Sequence, residues 1–425
     1  MRLLSGKIFK SLIRACEAWK LIEKNLSIIK ISKQNVEIDK ALGYFIADDV
    51  TAEIDLPPFD KSAVDGFAVR SEDLTSASLY NPALLRIIGE VKIGSKPEIV
   101  LKSGEAARID TGAPLPVGAD AVIGIEDCNL LGEYVEATKR VTPYANVVRK
   151  GEDVKKGEVV LKKGSRLHPW DIALLKGLGV DAVSVFSPVG VALISIGNEL
   201  GDDISILEKG GIIDTNKTHL LNLLRQYPVN VEDFGIVKDL KEYIEKALSK
   251  AASRNQLIIT TGGVSVGLRD YTAKVVESLG EVVFHGVAIR PGMPVAFGKI
   301  GESLVFMLPG NPVAAYINYK LFVENALLFL FKSNIRSFPI TAKLENKIPS
   351  TVGYMEFARV KLFREKEVEA RLVRRKGSSI LSSIVHSDGV VAIPEDSEGL
   401  KEGTLVKVYL HTRPWIGVLS MGDRL

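Results

Sequence analysis

Leu257-Ile258-Ile259-Thr260-Thr261-Gly262-Gly263-Val264-Ser265-Val266-Gly267-Leu268-Arg269-Asp270-Tyr271 carries the pattern that decides the fold. An apolar run rich in β-branched residues halts at a glycine pair and a helical pattern follows. Such a strand-to-helix turn gathers backbone N–H groups at a helix start, where anions bind. Gly262, Gly263 and Gly267 open dihedrals closed to other residues, and Ser265 adds a hydroxyl donor. Asp270 brings a carboxylate able to hold hydrated Mg²⁺ against a phosphate. A plain tight turn capped by Asp270 would be written in the same letters. The second turn, Val305-Phe306-Met307-Leu308-Pro309-Gly310-Asn311-Pro312, tips the balance, because two glycine turns at strand ends of one sheet point to a ligand rim.

Upstream, the same alternation repeats. A buried-strand run at 189–196 ends in Gly197-Asn198-Glu199-Leu200, Asp214 caps a helix carrying Leu220, Leu221, Leu223 and Leu224, a strand near 231–237 ends at Lys238-Asp239, and a helix covers about 240–253. This βαβα succession predicts a doubly wound parallel sheet whose ligands lie beyond the carboxyl ends of its strands. Glu199, Asp239, Asp270 and the Gly310-Asn311 turn should therefore share one rim. Singly, each acid reads equally as a cap or a solvated loop charge; three on one edge beside two glycine turns can hold a metal and a phosphorylated ligand. Arg290, in Ala288-Ile289-Arg290-Pro291-Gly292-Met293-Pro294, adds a fixed cation suited to oxyanions. A long helix from 313 to about 331 closes this domain.

The chain has 425 residues, more than one ordinary core accommodates. Its 55 Lys and Arg nearly balance 52 Asp and Glu, so no overall basic field recommends nucleic acid as a partner. Cys16 and Cys128 have no metal-ligand spacing and fit a reducing cytoplasm. No signal-peptide core or apolar run of spanning length stands out, so no membrane is expected. Residues 7–24 show helical apolar spacing. Short alternating runs at 84–88, 106–109 and 121–125 predict a small β domain, and the pattern turns to β again after 337. The expected division is a composite unit of 1–48 with 142–182, an inserted β domain at 49–141, the α/β domain at 183–334 and a C-terminal β domain at 335–425. Two loops of the inserted domain present Asp65 and Thr111 beside prolines, as side chains offered across an interface or as turn-forming groups. Arg359 sits in an otherwise apolar strand, and Gly377-Ser378-Ser379-Ile380-Leu381-Ser382-Ser383 is a hydroxyl-rich turn.

These pieces, in this order over nearly the whole chain, resemble the molybdopterin molybdenumtransferases, the MoeA and gephyrin E-domain family of molybdenum cofactor biosynthesis. The matching segments are 59–68, 108–120, 149–154, 197–200, 214–216, 261–271, 290–294, 308–312 and 377–383. The resemblance implies four domains, an elongated homodimer, and a central domain like that of molybdopterin adenylyltransferases. It also implies the reaction: adenylylated molybdopterin and molybdate, or tungstate, give the metal-loaded cofactor with release of AMP, dependent on Mg²⁺. On this resemblance the acidic, metal-holding site falls at Glu199, Asp239 and Asp270, and Asp65 with Thr111 reach the cleft of the other subunit. Gly262, Gly263, Ser265 and Gly267 cradle phosphate; Pro294, Gly310 and Asn311 contribute to cofactor binding; Arg290, Arg359, Ser265 and Ser382 form the oxyanion site. A molybdopterin adenylyltransferase is the implied partner. The chain departs from the pattern at Met293 and Gly286, where relatives carry Lys, and at Asn198, a frequent Asp. The alternatives are a non-catalytic molybdopterin-binding scaffold and a molybdopterin adenylyltransferase.

Overall fold

The computed structural model describes residues 12–264, 271–364, 367–374, 377–415 and 418–419. Strands β1 (Val189–Ile196), β2 (Val229–Val237), β3 (Leu257–Thr261), β4 (Glu281–His285), β5 (Ala296–Ile300) and β6 (Ser303–Leu308) form one sheet in the order β2-β1-β3-β6-β5-β4. β2, β1, β3 and β6 pair in parallel, and helices α1 (Thr215–Leu224) and α2 (Lys241–Ala252) supply the crossovers β1 to β2 and β2 to β3. Side chains alternate cleanly across the sheet. Val191, Leu193, Leu257, Ile259, Leu304, Phe306 and Leu308 enter one core, while Ala192, Ile194, Ile258, Val305 and Met307 enter the other beneath α2 and α3 (Tyr271–Leu279). Each Val, Leu, Ile, Phe or Met among them, fully buried, is worth roughly 1.5–3 kcal/mol. At one edge the sheet is not parallel as expected: β5 runs antiparallel to both β6 and β4. The reason is local, since Ile300 pairs with Ser303 and only Gly301-Glu302 turn between them, too short for a parallel crossover.

The long helix is present, as Pro312–Asn318, a π-helical turn Tyr319–Val323, and Glu324–Leu330. By length and composition Pro312–Leu330 could cross a membrane, contrary to the absence expected from the sequence, but 89% of its most apolar window is buried inside the protein. It is a core helix. A buried ion pair joins Lys320 Nζ to Glu324 Oε2 at 2.7 Å, with Lys320 also donating to the Arg413 carbonyl at 2.9 Å and the Tyr227 hydroxyl donating to Glu324 Oε1 at 2.8 Å. Burial pushes Lys320 down and Glu324 up; their mutual attraction opposes both shifts. Beside them His411 hydrogen-bonds Tyr316 through Nδ1 and Ser387 through Nε2, each at 2.8 Å.

Of the helix expected over 7–24, residues 7–11 lie outside the described residues; a helix runs Ala15–Leu26 and lays Ala18, Ile22 and Leu26 into the core shared with the long helix. Strand Lys33–Glu37 leads into a 3-10 turn at Ile38–Lys40. The inserted domain is a six-stranded sheet in the order Ala121–Gly124, Gly66–Val69, Glu105–Ile109, Ala83–Val91, Tyr134–Ala137, Cys128–Leu131. In the C-terminal domain, β7 (Met355–Arg364), β8 (Val368–Arg374), Ile340–Leu344, Leu405–Leu410 and β9 (Gly389–Ile393) pair in a ring that closes when β9 returns to β7. Closure removes exposed strand edges.

Two outcomes test this buried polar seam. Lys320→Met, which strands Glu324 in the core, should lower stability to urea unfolding by about 3–5 kcal/mol, while the double change Lys320→Met with Glu324→Leu should cost much less. His411 is held down to about 4, first by burial and then by Lys320. A free imidazole titrates near 6.5. The unfolded chain thus takes up the proton first, and this contribution to stability is complete above pH 6.5 and lost as pH falls toward 4. The unfolding temperature should accordingly drop between pH 7 and pH 5, and drop less in His411→Gln.

Candidate functional site: the strand-end rim of the central sheet

Four turns leave the carboxyl ends of β2, β1, β3 and β6, which are neighbours in the sheet, and they are tied to one another. After β1, the Gly197 N–H donates to the Val237 carbonyl of β2 at 3.2 Å, and the Asn198 side chain accepts from the Asp239 N–H at 3.1 Å. The loops carrying Glu199 and Asp239 are thereby joined. Glu199 Oε1 folds back to 2.9 Å from where a side-chain carbon at Gly197 would stand, so glycine there leaves the carboxylate its place. After β3, the Gly262 N–H donates to the Leu308 carbonyl at 3.2 Å. Gly262 and Gly263 hold φ of 82° and 65°, and any side chain at Gly262 would overlap the Ile196 carbonyl. A side-chain carbon on Gly310 would stand 3.5 Å from the Gly262 Cα, so the two glycine turns nearly touch.

Asn216 ties the two turns from beneath. Its amide donates to the Thr261 hydroxyl at 2.8 Å and to the Gly310 carbonyl at 2.7 Å. Asp214 starts the same helix, its carboxylate accepting from the Lys217 N–H at 3.0 Å. In the sequence Asn216 stands out only within the capping segment 214–216 that also matches the family; its bridging role depends on two chain-distant partners.

The C-terminal barrel covers the β6 end of the rim. The Val313 N–H donates to the Ser378 carbonyl at 2.9 Å, and the Ser379 hydroxyl donates to Asn311 Oδ1 at 2.7 Å. This seats the hydroxyl-rich turn on the Gly310-Asn311 turn, with Ser382 exposed three residues on. Arg359, on β7, is fully buried and donates to the Phe357 carbonyl at 3.2 Å. Burial, then repulsion from Arg374, pushes its guanidinium down to about 10. Arg290 lies 3.7 Å over the Tyr354 ring. The turn from Arg290 to Pro294 is pinned to the long helix, because the Asn318 amide donates to the Gly292 carbonyl at 3.0 Å. Met293 and Gly286 serve this turn through their backbones, the Met293 carbonyl accepting from Val287 and the Gly286 N–H donating to Val295.

Asp65 and Thr111 meet each other within the inserted domain. Asp65 Oδ1 accepts from the Thr111 N–H at 2.7 Å and from its hydroxyl at 2.8 Å, and these two bonds, backbone first, hold the Asp65 carboxyl below its usual range. Among the described residues neither has a hydrogen bond to the rim. Ser265, Gly267 and Asp270 lie outside the described residues.

The donors on the rim are carboxylate oxygens on adjacent strand ends, hard ligands of the kind that suit Mg²⁺ keeping part of its water shell. Among the described residues no three His, Cys, Asp or Glu side chains form a ready-made metal group. Two acids with the glycine turns therefore suit a cation shared with a phosphorylated ligand better than a closed structural site.

Three family models match successive parts of the chain: "MoeA N-terminal region (domain I and II)" over 13–179, "Probable molybdopterin binding domain" over 192–328, and "MoeA C-terminal region (domain IV)" over 341–411. A protein of Methanocaldococcus jannaschii named for molybdopterin biosynthesis is 39% identical over 416 residues, covering 95% of this chain and 99% of its own. The molybdopterin molybdenumtransferase of Haemophilus influenzae is 33% identical over 378 residues, covering 88% and 92%. The crystal structure of the molybdopterin biosynthesis moeA protein from Pyrococcus horikoshii superposes with a TM-score of 0.83 at 35% identity, covering 94% of this chain and all of that one. With its central α/β domain, inserted β domain and C-terminal barrel in the order those relatives share, the chain belongs to the MoeA family of molybdenum cofactor biosynthesis.

Proposed function

We propose that the protein is a molybdopterin molybdenumtransferase that inserts molybdate, or tungstate, into adenylylated molybdopterin and releases AMP. One observation supports this most: two glycine turns in near contact, flanked by Glu199 and Asp239, occupy one strand-end rim that the barrel's serine turn covers. In this reading the amides of Gly262 and Gly263 hold the phosphate of the substrate, as positive-φ glycines allow. Glu199, Asp239 and Asp270 would hold Mg²⁺, which when bound neutralises the phosphoanhydride and polarises its phosphorus. Asn216 fixes the spacing of the two glycine turns, so the phosphate and the rest of the ligand are bound at a set distance. The barrel turn and Arg359 with Ser382 exclude water from the oxyanion, and Arg290, Pro294, Gly310 and Asn311 line the approach.

The Asp65–Thr111 pair, exposed and preorganised, is assigned to the cleft of a second copy in a homodimer. A molybdopterin adenylyltransferase is the partner expected to deliver the substrate. A cytoplasmic location accords with the free thiols of Cys16 and Cys128. The units 1–48 with 142–182, 49–141, 183–334 and 335–425 are our proposed domain limits.

Purified protein given adenylylated molybdopterin, Mg²⁺ and molybdate should release AMP and yield cofactor that activates an apo molybdoenzyme. Absence of both products sinks the proposal, and adenylylated product formed from ATP and metal-free molybdopterin would replace it with an adenylyltransferase. Glu199→Ala and Asp239→Ala should each lower turnover by on the order of 10²-fold, with part of the loss regained at raised Mg²⁺.

A further inference from the structure

Among the described residues other than glycine, positive φ is held by Tyr144 at 63°, Asn146 at 55° and Lys332 at 50°, so two of the three stand in one loop. Left-handed backbone suits Asn, but for a bulky aromatic it is an outlier. The loop is pinned in this shape. The Tyr144 N–H donates to the Asp120 carbonyl at 2.7 Å, the Tyr144 carbonyl accepts from the Val147 N–H at 3.2 Å, and the Asn146 amide donates to the Val122 carbonyl at 2.9 Å. Surrounding structure thus imposes on Tyr144 a conformation its own side chain resists, a condition that gathers at ligand sites.

Packing does not account for the tyrosine. It is 45% exposed and lies outside the apolar cores of the inserted domain. One face of its ring is covered by the Arg149 guanidinium, 3.9 Å from the ring centroid, and Arg149 is itself exposed. The same loop is stitched to the Asp65–Thr111 pair. The Ala63 N–H donates to the Asn146 carbonyl at 2.9 Å, Ser62 pairs with Val147, and the Gly112 N–H donates to the Ser62 carbonyl at 2.8 Å. Ring and carboxylate therefore share one cluster of loops. Arg108 adds a second cation there, within electrostatic reach of Asp65. The acids Asp60, Asp65 and Glu152 of this cluster accept backbone N–H bonds from Lys150, Thr111 and Arg149.

We propose that Tyr144 is a stacking platform for the flat nitrogen heterocycle of a phosphorylated ligand, backed by Arg149, whose charge draws the anionic part of the same molecule. An aromatic face accepts any flat base, and a cation behind it strengthens the hold on an anionic one. A purine and a pterin both present such a ring, and the substrate proposed above carries one of each. That this ligand sits in the cleft of a second copy rests on the proposed function; the platform does not.

Isothermal titration of the full chain with AMP, and fluorescence titration with a carboxypterin, separate the two rings. Tyr144→Leu should weaken one of them about tenfold or more, while Tyr144→Phe and Tyr144→Trp stay within about twofold of wild type. The ring that loses affinity is the one that stacks. Tyr144→Asn gives a readout that a merely structural role would not: Asn is at ease in left-handed backbone, so this variant should unfold no earlier than wild type and yet bind as poorly as Tyr144→Leu. Tyr80→Ala, which removes a 99% exposed aromatic from the inserted domain, should alter neither titration. The proposal is overturned if wild type binds neither ring, if Tyr144→Leu binds both within about twofold of wild type, or if Tyr80→Ala loses as much. It is also overturned if Tyr144→Asn unfolds earlier and binds normally, or if Tyr144→Leu binds both rings normally and changes only the association of two copies. Ring binding that depends on Tyr144, in a wild type that releases no AMP from adenylylated molybdopterin, would remove the proposed reaction and keep the platform. Intact AMP release with unchanged affinity for both rings in Tyr144→Leu would do the reverse.

Discussion

The parallel pairing of β3 between β1 and β6 is the constraint on which the rest depends. Because parallel strands all end on the same side, this one ladder brings Thr261 beside Ser195 and Leu308, and so sends three chain-distant turns out at one level. With every side chain of β3 buried, a one-residue slip would exchange its two faces between the two cores, so the register is strongly held. The glycine turns can approach each other only because that register is held.

A second level of organisation lies in the junction of the long helix with the barrel. The π turn at Tyr319–Val323 widens the helix where Lys320 faces the Arg413 carbonyl, and His411, Tyr316 and Ser387 continue the polar seam. Such a seam adds little net stability compared with apolar packing, but it has one satisfied arrangement where an apolar interface would have several. It sets the barrel on the helix. The helix begins at Asn311 and the barrel carries Ser379, so the orientation of the barrel also decides how the serine turn meets the rim.

Much of the central domain was legible because its strands announce themselves. Leu257 to Thr261 is apolar on both faces, halted by Gly262, and the turn at Gly310 repeats the device. Where the reading missed, a short-range rule was overridden by a contact distant in the chain, or the signal was too small. Gly301 and Glu302 turn β5 back on β6 in two residues, and nothing about β5's apolar letters distinguishes an antiparallel edge from another parallel strand. Arg374 lies in the run Arg371-Leu372-Val373-Arg374, which by itself reads as a solvated strand end. Only the pairing with Arg359, fifteen positions earlier and across a bulge, gives it a distinct place.

The sequence by itself determined the strand and helix periodicities, the glycine punctuation, the acids that follow strand ends, and an order of motifs that marks the family. Those are local, since dihedral freedom and side-chain alternation act over a few residues. Tertiary structure decided which of those turns touch: that Asn216 spans two of them, that Asn198 binds the Asp239 backbone, that Asp65 is occupied by Thr111, and that a buried arginine faces a second one. Each of these requires groups far apart in the chain to meet at hydrogen-bonding range or across one ladder, and that distance is set by packing of the whole sheet and barrel.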